Sequence, residues 1–205
     1  YFARLVGSKS RINPPGKIFP GNYGAKVGII GVGTIGRTVI EMLRPYHLQV
    51  LAYDAFLPEE KRKELGCEFV CLERIFSECD VISNHLADNP QTRGMLNKAL
   101  FDRMKPLATF INTGRGRQVV EEDLAAALRE HPGRTALLDV VTEEPIRPDN
   151  IFYNMDNVFL SPHIAGSIGD EIHRLAAFMA DECKRLISGQ PTLYEVTLPM
   201  LETMA

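Results

Sequence analysis

A glycine-rich turn early in the chain has the spacing needed to bind phosphate groups. Gly31, Gly33 and Gly36 form a GxGxxG sequence that follows an apolar run and opens a helical pattern. In this setting Gly31 permits a tight turn, Gly33 lets the backbone approach a pyrophosphate, and Gly36 lets helix and strand pack closely. Backbone amides, including those of Thr34 and Ile35, would hold the phosphates at the positive end of the helix dipole. The turn predicts a dinucleotide site, and the alternative is a purely structural glycine turn.

Asp54 indicates which dinucleotide the site prefers. It lies 18 residues after Gly36, at the end of the next predicted strand. An acid there meets the adenine-ribose hydroxyls of NAD, and its charge repels the 2′-phosphate of NADP. We therefore predict NAD as the cofactor, with a turn or helix cap as the alternative role of Asp54. We interpret Lys61, Arg62 and Lys63 as the solvated face of a short helix.

Three further segments carry polar residues where an apolar run gives way to a loop. They are Asn112–Gly116, Asp139–Pro145 and Ser161–Gly166. In open parallel sheets, ligands bind at the carboxyl ends of the strands. We therefore predict that these segments contribute to one ligand site.

The order of these motifs resembles that of the D-isomer-specific 2-hydroxyacid dehydrogenase family, which includes phosphoglycerate dehydrogenase and glyoxylate or hydroxypyruvate reductase. The resemblance runs from about 25 to 187, and residues 84–97, with the stretch 91–97 in particular, are similar to the family's cofactor-side loop. It implies hydride transfer between NAD and a D-2-hydroxy acid or its 2-oxo partner. By motif, the family's catalytic arginine, glutamate and histidine fall on Arg115, Glu144 and His163.

Elementary chemistry agrees with this assignment. A planar guanidinium can bind the carboxylate of a 2-oxo acid in a fork, which suits Arg115. An imidazolium can supply a proton to the ketone as hydride arrives, which suits His163. A carboxylate beside the imidazolium favours its charged form, and the family motif places that acid directly before Pro145, which favours Glu144 over Glu143. The alternatives are a surface arginine, a turn glutamate and a core histidine.

The resemblance also implies the remaining cofactor contacts. Asp139 would approach the nicotinamide amide, as its family counterpart does, and a strand-end cap is the alternative. His85 ends a predicted strand near the expected cleft. The other predicted cofactor contacts are Leu86, Thr113, Gly114, Arg115, His163 and Gly166.

Alternating strands and helices must position these residues. Apolar β-branched runs predict strands, and helical apolar spacing bounded by proline or glycine predicts helices. The predicted strands are 26–32, 49–55, 67–70, 81–86, 108–112, 135–141 and 158–160. The predicted helices are 34–44, 58–65, 72–78, 98–104, 121–130 and 170–188. This alternation predicts an α/β fold, a Rossmann-like doubly wound parallel sheet with helices on both faces.

The chain divides into three predicted parts. Residues 1–24 are interrupted by prolines and glycines, which predicts a linker from the substrate domain. Residues 25–189 form the predicted NAD-binding domain, and 190–205 a tail that returns to the substrate domain. The resemblance implies that the substrate domain itself is largely absent. We therefore expect this chain alone to turn over little substrate, because catalysis needs both walls of the cleft.

Two short stretches depart from the family pattern. The residues Ala87-Asp88-Asn89-Pro90 stand where the family usually has a Leu-Pro-type segment. Arg117 and Gln118 follow the glycines where small residues are frequent, and we interpret them as shaping the cofactor cleft or a subunit contact.

Composition limits the class of protein. The chain has 205 residues, of which 45% are hydrophobic and 24% charged, and its net charge is -3. It has no long run of one sign, which argues against nucleic acid or a membrane surface as a partner. No apolar stretch approaches the roughly 20 residues that span a bilayer. The four cysteines form no CxxC pair and no zinc-like cluster with histidine, which indicates reduced thiols in a cytoplasmic protein without a metal site.

Two functional classes follow from these observations. The first is an NAD-dependent oxidoreductase whose small-molecule partner is a 2-oxo or 2-hydroxy acid. The second is a non-enzymatic NADH-sensing protein of the corepressor type, since C-terminal binding proteins resemble the same family and retain a similar catalytic set. The resemblance also implies a homodimer formed through the nucleotide-binding domain.

Overall fold

The computed structural model describes residues 21–202 and contains a seven-stranded sheet in which every strand pairing is parallel. The strands are β1 (Lys26–Ile30), β2 (Gln49–Tyr53), β3 (Glu68–Phe69), β4 (Val81–Asn84), β5 (Thr109–Asn112), β6 (Thr135–Leu138) and β7 (Val158–Leu160). Their spatial order is β3-β2-β1-β4-β5-β6-β7. The order reverses between β1 and β4, which is the switch point where such sheets bind ligands.

Among residues 21–202, five α-helices connect the strands and a sixth follows β7. They are α1 (Thr34–Leu43), α2 (Glu59–Lys63), α3 (Leu72–Glu78), α4 (Lys98–Phe101), α5 (Glu121–Glu130) and α6 (Asp170–Ile187). Short 3₁₀ helices occupy Gly116–Gln118, Ile151–Asn154 and Leu198–Glu202. The predicted Rossmann-like fold is confirmed. Most of the predicted linker, residues 1–20, lies outside the described residues, as do the last three residues of the tail.

Several predicted elements end earlier in the structure than their apolar pattern suggested. Strands β1, β4 and β6 are each shorter than the apolar run that predicted them. Val32, Leu86 and Val140, near the ends of those runs, belong to loops, and they are apolar because these loops are buried. The helix predicted at 98–104 ends at Phe101 and continues as a tighter turn, in which the Met104 amide donates to the Phe101 carbonyl at 3.1 Å in the manner of a 3₁₀ turn.

Helices cover both faces of the sheet. Successive residues of a strand point to opposite faces, and β1 displays this directly. A Cβ added to Gly28 would lie 2.5 Å from Ile75 Cγ2 of α3. On the opposite face Ile29 packs in a core cluster with Ile40 of α1. The sheet is therefore doubly wound, and its switch point lies between these two covered faces.

The predicted site residues lie along one edge of the sheet. The loops that carry the predicted site residues all follow the carboxyl ends of strands β1, β2, β4, β5, β6 and β7. Helix α6, which follows the last of these loops, has no buried residue among those described. Within residues 21–202, no helix combines the length and the apolar character needed to cross a membrane.

Candidate active site

The glycine turn after β1 packs directly on the end of β4. Gly31 has a φ of +85°, a left-handed conformation that glycine adopts without steric cost. A Cβ there would lie 2.7 Å from the carbonyl oxygen of His85 and the amide nitrogen of Leu86. A Cβ on Gly36 would lie 2.0 Å from the Gly31 carbonyl oxygen. Both glycines therefore have the tight-turn and close-packing roles that the motif predicts.

Asp54 ties this turn to the end of β2. Its Oδ2 accepts a hydrogen bond from the Val32 amide at 2.7 Å, and its Oδ1 accepts from the Phe56 and Leu57 amides at 2.8 and 2.9 Å. The structure thus gives Asp54 the turn-capping role that the sequence offered as an alternative. Oδ2 has a lone pair beyond the Val32 bond, so the ribose contact stays a prediction.

Arg62 differs from its interpretation as part of a solvated face. Its Nε donates to the Leu57 carbonyl at 2.8 Å, and its Nη2 donates to the Asp54 carbonyl at 3.0 Å. The guanidinium carbon stands 5.3 Å from the ring centre of Phe69. That interpretation is wrong for Arg62, because a fork of five donors can hold the turn carbonyls while the stem packs on the ring. Lys61 and Lys63 are exposed, as expected.

The loop after β4 brings His85 against the loop after β5. His85 Nε2 lies 2.9 Å from Ser83 Oγ, and His85 Nδ1 lies 3.5 Å from Thr113 Oγ1. Burial lowers the pKa of His85 below its usual value, because it removes water from the charged imidazolium. The next residue, Leu86, is buried. His85, Leu86 and Thr113 therefore line one region beside the glycine turn.

The Arg115 turn rests on the loop that follows β6. A Cβ on Gly116 would lie 1.9 Å from the Val141 carbonyl carbon, so this glycine permits a direct backbone contact. Thr142 Oγ1 also donates to the Gly116 carbonyl at 3.4 Å. Arg115 itself is exposed, and its Nη1 donates to the Gly114 carbonyl at 2.8 Å. The Arg115 guanidinium is thus exposed at the edge of the cleft, and the turn that carries Arg115 contacts the loop after β6.

His163 and Glu144 form a pair across two loops. His163 Nδ1 lies 2.7 Å from Glu144 Oε2, and Glu144 Oε1 accepts from the Val141 amide at 3.2 Å. Glu143 is instead 66% exposed and stands 3.8 Å from an Arg147 nitrogen. The geometry therefore places Glu144, rather than Glu143, against the histidine. Because Nδ1 faces Glu144, Nε2 is the ring nitrogen that can face a substrate.

Asp139 holds the loop that carries His163. Its Oδ1 accepts from Ser161 Oγ at 2.5 Å and from the Ile164 amide at 2.9 Å, and its Oδ2 accepts from the Ala165 amide at 2.8 Å. Burial by itself would raise the pKa of Asp139, but these hydrogen bonds outweigh it, and the pKa is lowered. His163 adopts a left-handed φ of +53°, and its amide donates to the Asp139 carbonyl at 3.0 Å. The capping alternative for Asp139 is thus realised, and its nicotinamide contact stays a prediction.

A buried amide cluster was the main feature that the sequence did not reveal. Asn84, Asn112 and Gln118 are buried and bond one another beneath the Arg115 turn. The sequence analysis placed Asn84 and Asn112 in site segments and interpreted Gln118 as shaping the cleft, but it did not predict that the three side chains meet. The available signal was the polar amide at the end of each of two apolar strands.

Gly166, a predicted cofactor contact, borders open space, since a Cβ added there would have no atom within 4 Å.

Comparison with known proteins identifies the family. The sequence model of the D-isomer specific 2-hydroxyacid dehydrogenase, NAD binding domain, matches residues 8–165. The chain belongs to this family. Its NAD-binding domain accounts for the doubly wound sheet and the glycine turn.

Named relatives agree with this assignment. D-3-phosphoglycerate dehydrogenase of Archaeoglobus fulgidus is 32% identical over 179 residues, which cover 87% of this chain and 34% of the relative. Glyoxylate reductase of Korarchaeum cryptofilum is 36% identical over 159 residues, which cover 78% of this chain and 48% of the relative. The chain therefore spans about a third to a half of the length of these curated relatives.

A solved structure shows the same architecture. The crystal structure of D-lactate dehydrogenase with NAD⁺ from Lactobacillus jensenii superposes with a TM-score of 0.80 and 25% sequence identity. The match covers 96% of this chain and 63% of that chain. The likeness thus extends over nearly all of the chain.

The glycine turn of this NAD-binding domain fits a pyrophosphate. A Cβ on Gly33 would meet nothing within 4 Å, so the space beside the turn is open. Gly33 caps α1 without a side chain, and the first turn of α1 carries no acidic residue. The first amides of a helix have no partner within the helix, and here Thr34 and Ile35 are exposed. An anion can therefore bind these amides. Among residues 21–202, no group of three metal-ligating side chains occurs.

Proposed function

We propose that the protein is an NAD-dependent oxidoreductase that interconverts a D-2-hydroxy acid and its 2-oxo acid. The observation that carries this proposal is the 2.7 Å contact between His163 Nδ1 and Glu144 Oε2, on two loops at the carboxyl edge of the NAD-binding sheet. A histidine oriented by a carboxylate is the arrangement expected of a general acid or base. NADH, when bound, supplies the hydride.

The protein's own side chains supply charge and the proton. Arg115 binds the carboxylate of the 2-oxo acid through its guanidinium. His163 donates the proton on Nε2 to the ketone oxygen as the hydride reaches the carbonyl carbon, which yields the hydroxy acid. In the reverse direction Nε2 takes the hydroxyl proton. Glu144 accepts from Nδ1 and holds the ring in that orientation.

Asp54 supports NAD as the preferred cofactor. Its carboxylate lies at the end of β2 and faces a cavity of about 380 Å³, which Tyr53, Arg62 and Phe69 also line. A fixed negative charge at this position disfavours a 2′-phosphate. The Arg62 guanidinium already bonds two turn carbonyls and packs on Phe69, which makes it less available to a phosphate.

The rest of the proposed protein is a substrate domain that faces this one. Support comes from the apolar side chains that α6 and the following segment leave exposed, among them Ile172, Leu175, Met179, Leu193 and Leu198. We propose that the tail at 190–205 returns to that domain and that residues 1–24 connect it to the NAD-binding domain. By family resemblance, we propose that the protein is cytoplasmic and that it forms a homodimer through the NAD-binding domain. Sedimentation of the full-length protein would test the homodimer.

Cofactor titration of this chain tests the cofactor site. We expect saturable NADH binding and much weaker NADPH binding in calorimetry. Asp54→Ala should weaken NADH binding about tenfold and narrow the difference between the two cofactors, because it removes both a hydrogen-bond acceptor and a repulsive charge. Asp80→Ala is the matched control, since Asp80 also accepts a backbone amide, that of Lys26 at 2.9 Å, at the opposite end of β1.

Two results would contradict the cofactor proposal. The first is tighter binding of NADPH than of NADH by the unaltered chain. The second is an equal loss of NADH binding in Asp54→Ala and Asp80→Ala, because that would assign the loss to stability alone.

Assays of the full-length protein test the reaction. A panel of 2-oxo acids with NADH should include at least one substrate, and the present chain alone should turn it over slowly, because the described residues supply one wall of the cleft and exclusion of water needs both. Tight NADH binding by the full-length protein without turnover of any 2-oxo acid would refute the oxidoreductase proposal.

A further inference from the structure

Three buried amide side chains lie directly beneath the Arg115 turn. Asn84 ends β4, Asn112 ends β5, and Gln118 ends the 3₁₀ helix that follows the turn. Asn84 Nδ2 donates to Asn112 Oδ1 at 2.9 Å and to Gln118 Oε1 at 2.5 Å. We call these three side chains the amide cluster. The turn is thus joined by side chains to two neighbouring strands, which also pair with each other in the sheet.

The other hydrogen bonds of the amide cluster reach the backbone on both sides of Arg115. Asn112 Oδ1 accepts from the Gly114 amide at 3.1 Å, and Asn112 Nδ2 donates to the Arg115 carbonyl at 3.2 Å. Gln118 Oε1 accepts from the Arg115 amide at 3.3 Å. The peptide groups before and after the Arg115 Cα are therefore both held by buried side chains.

Gln118 also connects this turn to the loop after β4. Its Nε2 donates to the Leu86 carbonyl at 2.7 Å, and the Leu86 amide donates to Asn84 Oδ1 at 3.3 Å. A Cβ on Gly114 would lie 3.1 Å from both Asn84 Nδ2 and Gln118 Oε1, so the turn lies directly on the cluster. Gln118 is thus the member that bonds the Arg115 amide at one end and the β4 loop at the other.

A buried amide is costly unless its donors and acceptors are satisfied. An apolar side chain at 118 could fill this volume, but it would leave the Arg115 amide and the Leu86 carbonyl without their Gln118 partner. A polar residue at position 118 therefore needs a reason other than packing. Its bonds go to the peptide groups that place Arg115, and coupled buried bonds of this kind hold a single arrangement.

We propose that Gln118, with Asn84 and Asn112, is a positioning residue that sets the placement of Arg115 and thereby the recognition of the substrate carboxylate. The proposal rests on the proposed function, because it assigns Arg115 to the 2-oxo acid. Gln118 itself does not touch the substrate. It acts through the backbone of the turn.

Kinetics of Gln118→Leu in the full-length protein provide the first test. The KM for the 2-oxo acid should rise about tenfold or more, because the Arg115 amide and the Leu86 carbonyl lose their partner. The dissociation constant of NADH should rise by a smaller factor than this KM, since the amide cluster reaches the predicted cofactor contacts only at Leu86 and the Arg115 turn and has no hydrogen bond to Gly33 or Asp54. An unchanged KM in a folded, active variant would overturn the proposal.

Asn157→Leu is the matched structural control. Asn157 Nδ2 donates to the Leu128 and Arg134 carbonyls at 3.0 Å each, at the opposite end of the sheet from the cleft. This variant also removes a part-buried amide that bonds backbone carbonyls. It should leave the KM for the 2-oxo acid within about twofold of the unaltered protein. An equal rise of KM in both variants would assign the effect to general loosening and overturn the proposal.

Gln118→Glu provides a signature that a merely structural role would not produce. A carboxylate at 118 retains an acceptor for the Arg115 amide but faces the Leu86 carbonyl with a second acceptor. Protonation restores the donor. The ratio of the variant KM to the unaltered KM should therefore fall towards one as pH is lowered, and a pH-independent ratio would contradict the proposal. This variant also serves if Gln118→Leu does not fold.

Hydrogen exchange separates this inference from the proposed function. In Gln118→Leu the amides of Gly114 and Arg115 should exchange at least about tenfold faster, and in Asn157→Leu they should not change. If the full-length protein turns over no 2-oxo acid, the proposed function fails whatever the exchange rates are. If it is active and these amides exchange at the same rate in both variants, only the role of Gln118 fails.

Discussion

At the scale of single residues, the pairing of His163 with one of two adjacent glutamates decides the proposed acid-base chemistry. Glu144 contacts Nδ1 at 2.7 Å and is held by the Val141 amide at its other oxygen. Glu143 points to Arg147 and solvent. Two neighbours of the same type therefore have different roles, because only one side chain faces the loop after β7.

Glu144→Gln should lower kcat of the full-length protein about a hundredfold, because an amide does not stabilise the charged imidazole as a carboxylate does. Glu143→Gln is the matched control and should change kcat less than about twofold. Steady-state kinetics with a saturating 2-oxo acid and NADH measure both. Equal losses in the two variants would contradict the assignment of Glu144.

At the scale of elements, the contact between the loops after β5 and β6 depends on Gly116, which has no side chain. The Gly116 Cα packs against the backbone of Val141 and Thr142, and the nearest distances for an added Cβ are 1.9 and 2.4 Å. Backbone cannot move aside as the end of a flexible side chain can. The loop that carries Arg115 and the loop that carries Glu144 are thus joined through this glycine.

Gly116→Ala should lower the free energy of unfolding of this chain by about 3 kcal/mol, through overpacking against backbone. Gly166→Ala should change it by less than about 0.5 kcal/mol, because an added Cβ there meets nothing within 4 Å. Urea denaturation followed by circular dichroism compares the two. A cost below about 1 kcal/mol for Gly116→Ala would show that the two loops separate easily.

Arg134 performs a comparable joining role at the opposite end of the sheet. Its buried guanidinium donates to the carbonyls of Ala127 in α5, at 3.3 Å, and of Asp102 after α4, at 3.1 Å, and it also bonds the Met104 carbonyl. One side chain therefore bonds carbonyl groups at the ends of two helices, where such groups need partners, and the Ala127 carbonyl also accepts from the His131 amide at 3.3 Å.

Arg134→Met should destabilise the chain by about 3 kcal/mol, because it leaves several buried carbonyls without this donor. Arg129→Met, at an exposed position of helix α5, should cost less than about 0.5 kcal/mol. Thermal and urea unfolding give both values. Similar stability of the two variants would mean that other donors or water replace the guanidinium.

At the scale of the whole molecule, an ion-pair network ties the amino-terminal edge of the sheet together. Glu78 of α3 lies 2.7 Å from both Lys26 Nζ of β1 and Arg74 Nε, and Arg74 also reaches Glu68 of β3 at 2.7 Å. The hydrogen bonds from Arg74, and then those from Lys26, lower the pKa of Glu78 to about 2. The network therefore links stability to pH.

The stabilisation by Glu78 should be complete above its usual pKa of 4.5 and should be lost as pH falls towards about 2, because protonation in the folded state requires breaking the pairs. The difference in urea midpoint between the unaltered chain and Glu78→Gln should therefore shrink over that range. Glu60→Gln, at an exposed position in α2, is the control and should show a small difference at every pH. A constant Glu78→Gln difference from pH 5 to pH 2.5 would contradict the linkage.

The sequence by itself determined the architecture and the location of the site. Apolar periods of two and of three to four residues depend on neighbours in the chain, so strands and helices could be predicted to within a few residues. The GxGxxG turn requires glycine for local backbone reasons, which made Gly31 and Gly36 recognisable. The order of the motifs along strand ends then predicted that the Arg115, Glu144 and His163 loops lie at one edge, because parallel strands bring their carboxyl ends together.

Only the tertiary structure decided which side chains meet. Such contacts join residues that are distant in the chain or on different loops: His163 with Glu144, the loop amides with Asp54 and Asp139, Arg62 with Phe69, and the members of the amide cluster. Hydrogen-bond partners at such distances depend on side-chain direction and on burial, and neither has a period that a sequence displays. The sequence therefore determined where the chemistry is located, and long-range packing decided how each group is held there.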